Sequence, residues 1–575
     1  MGFLKKYIKK YWKPFCIAVS FLMLEVICDL MQPTIMSKII DVGIAGRDIK
    51  YVLSMGAIML GVTTLGALGA ISRNIVSSNV SQKFGMDMRS DLFSKIQTLS
   101  FDNIGKFETA SLVTRLTNDI IQVQNFAHGL MRIFVKAPLL FIGSIIMASL
   151  LNPGMTLIIV AIVPAVSFLI YMSMKIGSPF FSKVQKALDK VNGVMREYLA
   201  GVRVVKAFNR FDYEKGRFAG TNKDLAEVSI TAMRVMAVFT PGISLVVNMG
   251  IIAVLWIGGR KVNNGSMHVG QVIAFVNYMT QILFSVMMIS WIFTTFVRAK
   301  VSAERIGEVM AQENSMIVSA VLIDPIHKSG QVDFEQVSFT YAGTSQDLVL
   351  KDITFTCLPG ETVGIIGSTG SGKTTLVNLL SRFYDVTSGR IRMDGIDIRD
   401  IDPKVLRERI AVVSQKVILF TGTILENIKW GKENATLDEI KKVADVAQAH
   451  EFISSFPEGY ETLLGQRGVN LSGGQKQRIS IARALVHKPE IMIFDDCTSA
   501  VDVATEAKIR EALKSYANDL TCLIIAQRIT SVMDADRIVV LDEGQMVGTG
   551  THEELMQTCT VYRDIYHSQI GKEGI

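Results

Sequence analysis

Thr362-Val363-Gly364-Ile365-Ile366 runs straight into Gly367-Ser368-Thr369-Gly370-Ser371-Gly372-Lys373-Thr374, and Thr375–Arg382 continues with helical spacing. The first five residues read as a buried strand. The next eight match G-x-x-x-x-G-K-[ST] in the strand–loop–helix context that this motif requires. Glycines let backbone N–H groups curl around phosphate oxygens, and the helix N-terminus adds its dipole. Lys373 is placed to neutralise β- and γ-phosphates, and the Thr374 hydroxyl to ligate Mg²⁺. The second half of the chain, from Gly330, is therefore expected to be an α/β domain with a phosphate site at the strand ends.

Upstream the pattern changes. The chain has 575 residues, of which 49% are hydrophobic and only 20% charged; its mean hydropathy is +0.33. Aqueous domains carry about 25% charged residues, so part of this chain is expected in a membrane. A bilayer core about 30 Å thick takes about 20 apolar residues in a helix. Uncharged or nearly uncharged runs occur at Pro14–Ser37, Tyr51–Ser72, Val235–Gly259 and Val272–Val297. The run Ala137–Met174 is long enough for two spans, and Asn152-Pro153-Gly154 marks a tight outer hairpin within it. Six spans are expected.

The two charged loops between the spans hold 8 and 12 Lys/Arg, and the N-terminus adds Lys5, Lys6, Lys9, Lys10 and Lys13. The opposite loops hold only Lys38, Arg47, Lys50, Arg260 and Lys261. Both termini and both long loops are expected to be cytoplasmic, with the long loops continuing as helices beyond the membrane. On a helical wheel the five N-terminal lysines fall within about 140°, opposite Phe3, Leu4, Tyr7, Ile8, Tyr11 and Trp12. That predicts an interfacial helix over 1–14, then a membrane domain over 15–310, a linker over 311–329 and the α/β domain over 330–575.

Six cysteines without a CxxC pair argue against a disulfide framework and against structural zinc. The net charge of +7 is small for this length, so no nucleic-acid partner is expected.

Further motifs follow in a recognisable order. Leu471-Ser472-Gly473-Gly474-Gln475 leads into Lys476–Leu485. Ile491-Met492-Ile493-Phe494-Asp495-Asp496 reads as a buried strand delivering carboxylates at its end. Tyr341 precedes the phosphate loop, Gln415 lies between that loop and the signature segment Leu471–Gln475, and Ala526-Gln527-Arg528 ends a later strand. Together with the six spans, these motifs resemble an ATP-binding cassette exporter half-transporter over the entire chain. The implied fold is an α-helical six-span membrane domain of exporter type followed by an α/β P-loop nucleotide-binding domain.

The resemblance also implies roles, with ATP and Mg²⁺ as cofactors. Tyr341 stacks on adenine, while Gly367, Ser368, Thr369, Gly370, Ser371, Gly372, Lys373, Thr374 and Thr375 hold the phosphates. Thr374, Gln415 and Asp495 form the metal shell. Ser472, Gly473, Gly474 and Gln475 grip the γ-phosphate of a partner cassette's nucleotide. Phe101–Ile120 and Glu197–Phe208 are the segments where membrane hairpins meet cassettes.

Two positions depart from the family. The residue after Asp495 is usually Glu, which activates the attacking water, and here it is Asp496. The usual histidine of the following switch loop is Gln527. A carboxylate on a side chain one methylene shorter is withdrawn by about 1.5 Å, and misplacement of about 1 Å can slow a reaction about a hundredfold. Gln donates a hydrogen bond but carries neither proton nor charge. The pair predicts slow hydrolysis at this chain's own loop, beside an intact signature. This resembles the degenerate-site subunit of bacterial heterodimeric multidrug exporters, and the resemblance implies a partner half-transporter that keeps both Glu and His. A smaller departure is Gln466, where exporters often have Glu.

In the first span Glu25 and Asp29 stand at i,i+4 and share a face. Acids at membrane depth point either to cationic substrates or an outer gate, or to packing against a basic partner. The expected cargo is an amphipathic small molecule crossing a plasma (inner) membrane. Lipid or peptide export, and a non-transporting ATP-binding sensor, are the alternatives. A soluble ATPase is excluded by the spans.

Overall fold

The structure is a computed structural model, and it describes residues 2–314, 316, 329–341, 348–498, 500–516 and 520–570. Most of the expected linker 311–329 lies outside the described residues. Two compact units emerge, Met1–Gln97 with Thr109–Gln312, and Thr98–Glu108 with Glu313–Ile575.

The first unit is all helical. Its helices are α1 (Leu4–Lys38), α2 (Ile49–Thr98), α4 (Thr109–Thr114), α5 (Ile120–Gly129), α6 (Lys136–Leu151), α7 (Pro153–Ala207), α8 (Phe211–Ala237), α9 (Phe239–Asn263) and α10 (Val269–Met310), while the short α3 (Phe101–Gly105) between α2 and α4 belongs to the second unit. Short π-helical turns at Ile39–Ile44, Arg115–Asp119 and Leu130–Phe134 extend α1 and join α4 to α5 and α5 to α6. Among the described residues, six helical segments are long and apolar enough to cross a membrane: Leu4–Ile44, Ile49–Thr98, Thr109–Leu151, Pro153–Ala207, Phe211–Asn263 and Val269–Met310. At about 1.5 Å per residue, the 55 residues of α7 run far beyond a bilayer core. The long loops are therefore continuations of the spans.

The expected outer hairpin has a local cause. Asn152 leaves the helical region at φ −160°, and its side chain accepts from the Met155 N–H at 3.2 Å, capping α7 with Pro153 at its first position. From Leu4 the expected interfacial helix runs into the first span without interruption, with Pro14 inside α1. Tyr7 and Tyr11 donate to Asp91 and Asp87 of α2 at 2.7 and 2.8 Å, and Lys6 and Lys10 pair with the same two acids. α10 lies innermost. Phe275, Tyr278 and Ile282 are fully buried, packed with Ala148 of α6, Met155, Ile159 and Val166 of α7, and Val254 of α9. The Tyr278 hydroxyl reaches the Leu30 carbonyl of α1 at 2.7 Å.

The second unit is built on two main sheets. Strands β1 (Val332–Phe339), β2 (Leu350–Cys357), β4 (Ser388–Met393) and β5 (Ile396–Asp397) form one sheet in the order β2-β1-β4-β5, and all its pairs are antiparallel. The other contains β3 (Thr362–Gly367), β6 (Ile410–Val413), β9 (Ile491–Asp495), β10 (Thr521–Ile525), β11 (Arg537–Asp542) and β12 (Gln545–Gly550), in the order β12-β11-β3-β10-β9-β6. Five of its strands, β11, β3, β10, β9 and β6, run parallel, with β6 at one edge, and β12 is the antiparallel strand at the other. β7 (Gly422–Thr423) and β8 (Leu463–Leu464) make a small third pair. The parallel strands are covered on both faces, which explains their unbroken apolar runs: Val363, Ile365 and Ile366 are fully buried, as are Ile491, Met492 and Ile493. Phe101 of α3, within this unit, lies 4.7 Å from the Phe383 ring. Thr109–Ile120 and Glu197–Phe208 belong to the first unit.

Candidate functional site: a phosphate loop and its carboxylates

Strand register assembles the site. Ile365 of β3 pairs with Ile525 of β10, which pairs in turn with Asp495 of β9. The residues just past these strands are the phosphate loop, Gln527 and Asp496, so all three leave the same edge of the sheet. This is the carboxyl edge, where parallel sheets bind ligands.

In the loop, Gly370 and Gly372 adopt φ of +87° and +93°, in the left-handed region that lets the chain curl before the helix Lys373–Leu380. Lys373 is buried. Its ammonium donates to the Gly367 and Ser368 carbonyls at 2.9 and 2.7 Å and to Ser371 Oγ at 3.4 Å. Burial lowers its pKa, and the nearby Asp496 and Asp495 oppose that shift. Ser368 Oγ donates to Asp542 at 2.9 Å, anchoring the loop to the end of β11.

Thr374 Oγ1 donates to Asp495 Oδ1 at 3.2 Å. A hydroxyl and a carboxylate this close are the hard oxygen pair that suits Mg²⁺ alongside phosphate oxygens and water. Burial raises the Asp495 pKa, against the Thr374 hydrogen bond, which lowers it. Gln415 reaches this group through Asp496, donating from Nε2 to Asp496 Oδ2 at 2.8 Å. Asp496 sits at φ +46°, a left-handed turn that swings its side chain off the strand line, and its N–H donates to the Ile525 carbonyl at 2.8 Å.

Tyr341 stands edge-on to Phe339 and Tyr384, at centroid distances of 4.8 and 5.1 Å, and its hydroxyl lies 3.1 Å from Thr375 Oγ1. Thr375 thus orients the ring. In the signature, Ser472 and Gln475 form a reciprocal capping box on the helix Gly473–Val486, with contacts of 2.9 and 3.3 Å. Gly474 has a packing reason as well, since a Cβ there would stand 2.9 Å from the Ala500 carbonyl. Gln527 is exposed, and its carbonyl accepts from Gln569 Nε2 at 2.7 Å. Gln466 is exposed and opens a 3₁₀ turn, Gln466–Gly468, whose last residue is buried.

The two units match known proteins in the same order along the chain. Residues 15–286 match the ABC transporter transmembrane region and residues 350–499 match the ABC transporter domain. The ABC transporter ATP-binding protein YfiB of Bacillus subtilis (strain 168) is 42% identical over 97% of this chain and 96% of its own length. The chain belongs to the ABC transporter family. YgaD of the same organism, named for multidrug export as an ATP-binding/permease protein, is 34% identical over 99% of this chain and 100% of its own. A bacterial Atm1-family ABC exporter solved with ATP bound shares the fold, with a TM-score of 0.81 at 24% identity over 98% and 99% of the two chains.

In the transporter's membrane unit, Glu25 is buried. One oxygen accepts from Lys136 Nζ at 2.5 Å, and the other lies 2.9 Å from Arg73 Nε, an ion pair approached off the N–H axis. Lys136 also pairs with Asp29 at 3.0 Å, and Arg73 donates to the Arg132 carbonyl at 3.3 Å. Glu25 therefore has its counter-charges within the chain, while Asp29 stays 35% exposed. Arg73 and Lys136, read from sequence as the limits of a cytoplasmic loop, are members of this cluster. Their only sequence signal was a basic residue at the end of an apolar run.

Proposed function

We propose that this chain is one subunit of an ATP-driven exporter of amphipathic small molecules, working as a heterodimer. It binds MgATP at its own, slow site and lends Ser472–Gln475 to a partner half-transporter with intact Glu and His. The observation that carries this reading is the pair Asp496 and Gln527 at the loop edge. Phosphoryl transfer on such sites is mostly positioning and electrostatics. Asp496 is one methylene short and is held by Gln415, and Gln527 can donate but cannot be cationic. The multidrug-export name of YgaD supports the cargo class. Exposed Phe284, Met287 and Trp291 on α10 add an adaptable apolar surface.

In this reading 1–14 precede a membrane domain 15–310, a linker 311–329 and a cassette 330–575. The positive loops place the cassette and both termini in the cytoplasm of a plasma-membrane protein. Thr374, Asp495 and Gln415 hold Mg²⁺, which neutralises phosphate charge when bound. Lys373 and the loop N–H groups orient the phosphates, and Tyr341 fixes the base. MgATP binding closes the cassettes and levers the spans between inward- and outward-open states.

The test is ATPase activity of the purified full-length chain, alone and with candidate partner half-transporters. The lone chain is expected to be slow, and Asp496→Glu with Gln527→His to raise its turnover by up to about a hundredfold. Brisk hydrolysis by the lone chain, unchanged by that double substitution, refutes the asymmetric scheme.

A further inference from the structure

The last described helix of the chain, Thr560–Ile570, ends on the switch loop. Gln569 uses both ends of its side-chain amide there. Nε2 donates to the Gln527 carbonyl at 2.7 Å, and Oε1 accepts from the Ile529 N–H at 2.8 Å. The two bonds bracket Gln527-Arg528-Ile529. An amide held at both ends has one allowed orientation, so the position of the loop backbone is tied to the position of the helix.

The helix itself is fixed. Tyr562 is fully buried, its hydroxyl lies 2.8 Å from His552 Nδ1, and Ile565 and Tyr566 pack against the cluster that contains Ile366, Ala526, Ile529 and Val532. Ile366 is the strand residue immediately before the phosphate loop, and Ala526 immediately precedes Gln527. One apolar cluster thus seats the phosphate-loop strand, the switch strand and the clamping helix together. Gln569 is exposed, so its part in this arrangement is polar and not a matter of core packing.

We propose that Gln569 is a positioning residue: it acts through the backbone of Gln527, setting where that side chain stands relative to the γ-phosphate. The inference rests on the reading of Gln527 as the switch residue of this chain's own site. It extends that site to the C-terminal helix, which no motif in the sequence marks.

The test uses the full-length chain without a partner half-transporter, in lipid nanodiscs, so that turnover reports this chain's own site, and compares wild type, Gln569→Ala, Gln569→Glu, Gln527→Ala and the double variant Gln527→Ala/Gln569→Ala. Gln569→Glu keeps the size and the acceptor for the Ile529 N–H, but sets a carboxylate against the Gln527 carbonyl. Gln569→Ala and Gln569→Glu are both expected to lower kcat for ATP about tenfold with KM held within about twofold, as expected for misplacement of under 1 Å. In the Gln527→Ala background, Gln569→Ala is expected to change kcat by less than about twofold, because the two act as one unit. Hydrogen exchange at the Ile529 amide is expected to speed up in Gln569→Ala, a readout that needs no turnover. Full activity of Gln569→Glu, an equal loss in both backgrounds, or unchanged Ile529 exchange each overturns the clamp. If Gln527→Ala itself leaves kcat unchanged, the switch reading fails and the clamp falls with it. If Gln527→Ala is slow and Gln569→Ala is normal, only the clamp fails.

Discussion

Replacing Glu25 by Gln removes one charge from the membrane unit and leaves its shape almost unchanged. Glu25 faces two cations, Lys136 at 2.5 Å and Arg73 at 2.9 Å, and both Glu25 and Arg73 are buried. Breaking a buried pair by removing one partner is destabilising by about 3–5 kcal/mol, because the other charge is left without compensation. Here the low end applies. Lys136 retains Asp29 at 3.0 Å, and Arg73 retains a hydrogen bond to the Arg132 carbonyl at 3.3 Å. The expected loss is about 3 kcal/mol, borne mainly by Arg73. A large membrane protein unfolds irreversibly, so the assay is the rate of thermal inactivation of nucleotide-stimulated activity in detergent or nanodiscs. If the whole loss appears in the unfolding barrier, inactivation accelerates by roughly a hundredfold. Arg73→Gln is expected to be similarly harmful, and Glu25→Gln/Arg73→Gln milder than the sum, because removing both charges leaves no orphan. An inactivation rate within about threefold of wild type for Glu25→Gln, or strictly additive single variants, refutes the counter-charge argument. Loss of cationic-substrate transport with stability intact would return Glu25 to a substrate role.

Tyr341→Ala is expected to weaken ATP binding roughly tenfold by removing a stacking surface worth about 1–3 kcal/mol; Tyr341→Phe keeps the ring while losing the hydroxyl that meets Thr375 and is expected to be much milder, as equilibrium nucleotide titration would show. Burial raises the Asp495 pKa, so a proton competes with Mg²⁺ at higher pH than at an ordinary aspartate near ~3.9. Mg²⁺-dependent nucleotide binding is therefore expected to fade on acidification at a pH above that value, checked by Mg²⁺ titration at falling pH; a loss that tracks an ordinary carboxylate removes the argument. Gly474→Ala adds a methyl 2.9 Å from the Ala500 carbonyl, and is expected to displace the signature loop and lower dimer ATPase at least about tenfold without weakening ATP binding at this chain's own loop. Normal ATPase in that variant would show that the loop yields easily.

The phosphate site was legible in the sequence because its geometry is local. A β-branched strand, a glycine loop that needs positive φ at Gly370 and Gly372, and a helix opening at Lys373 lie within a dozen or so consecutive residues. The six spans were legible because a bilayer imposes a length of apolar chain, and length is countable. The tight turn at Asn152-Pro153-Gly154 was legible through capping chemistry. Asp495 could be placed by strand reasoning, but its approach to Thr374 depends on the registers of β3, β10 and β9.

What sequence pattern left open is pairing between distant residues. Glu25 and Asp29 were visible as acids in a span, yet periodicity on α1 carries no information about which cations α2 and α6 would bring to them. Only the packed helices place Arg73 and Lys136 there, and burial then makes neutralisation necessary. The lysines of 1–14 show the same limit: their alignment on one face is a property of the chain, but Asp87 and Asp91 become partners only because α1 and α2 run side by side. Gln569 gave no signal, since an exposed glutamine near a chain end matches no motif, and its contact with Gln527 is set by the seating of Tyr562. Local backbone chemistry and membrane thickness are written along the chain, whereas charge compensation and loop clamping depend on three-dimensional register.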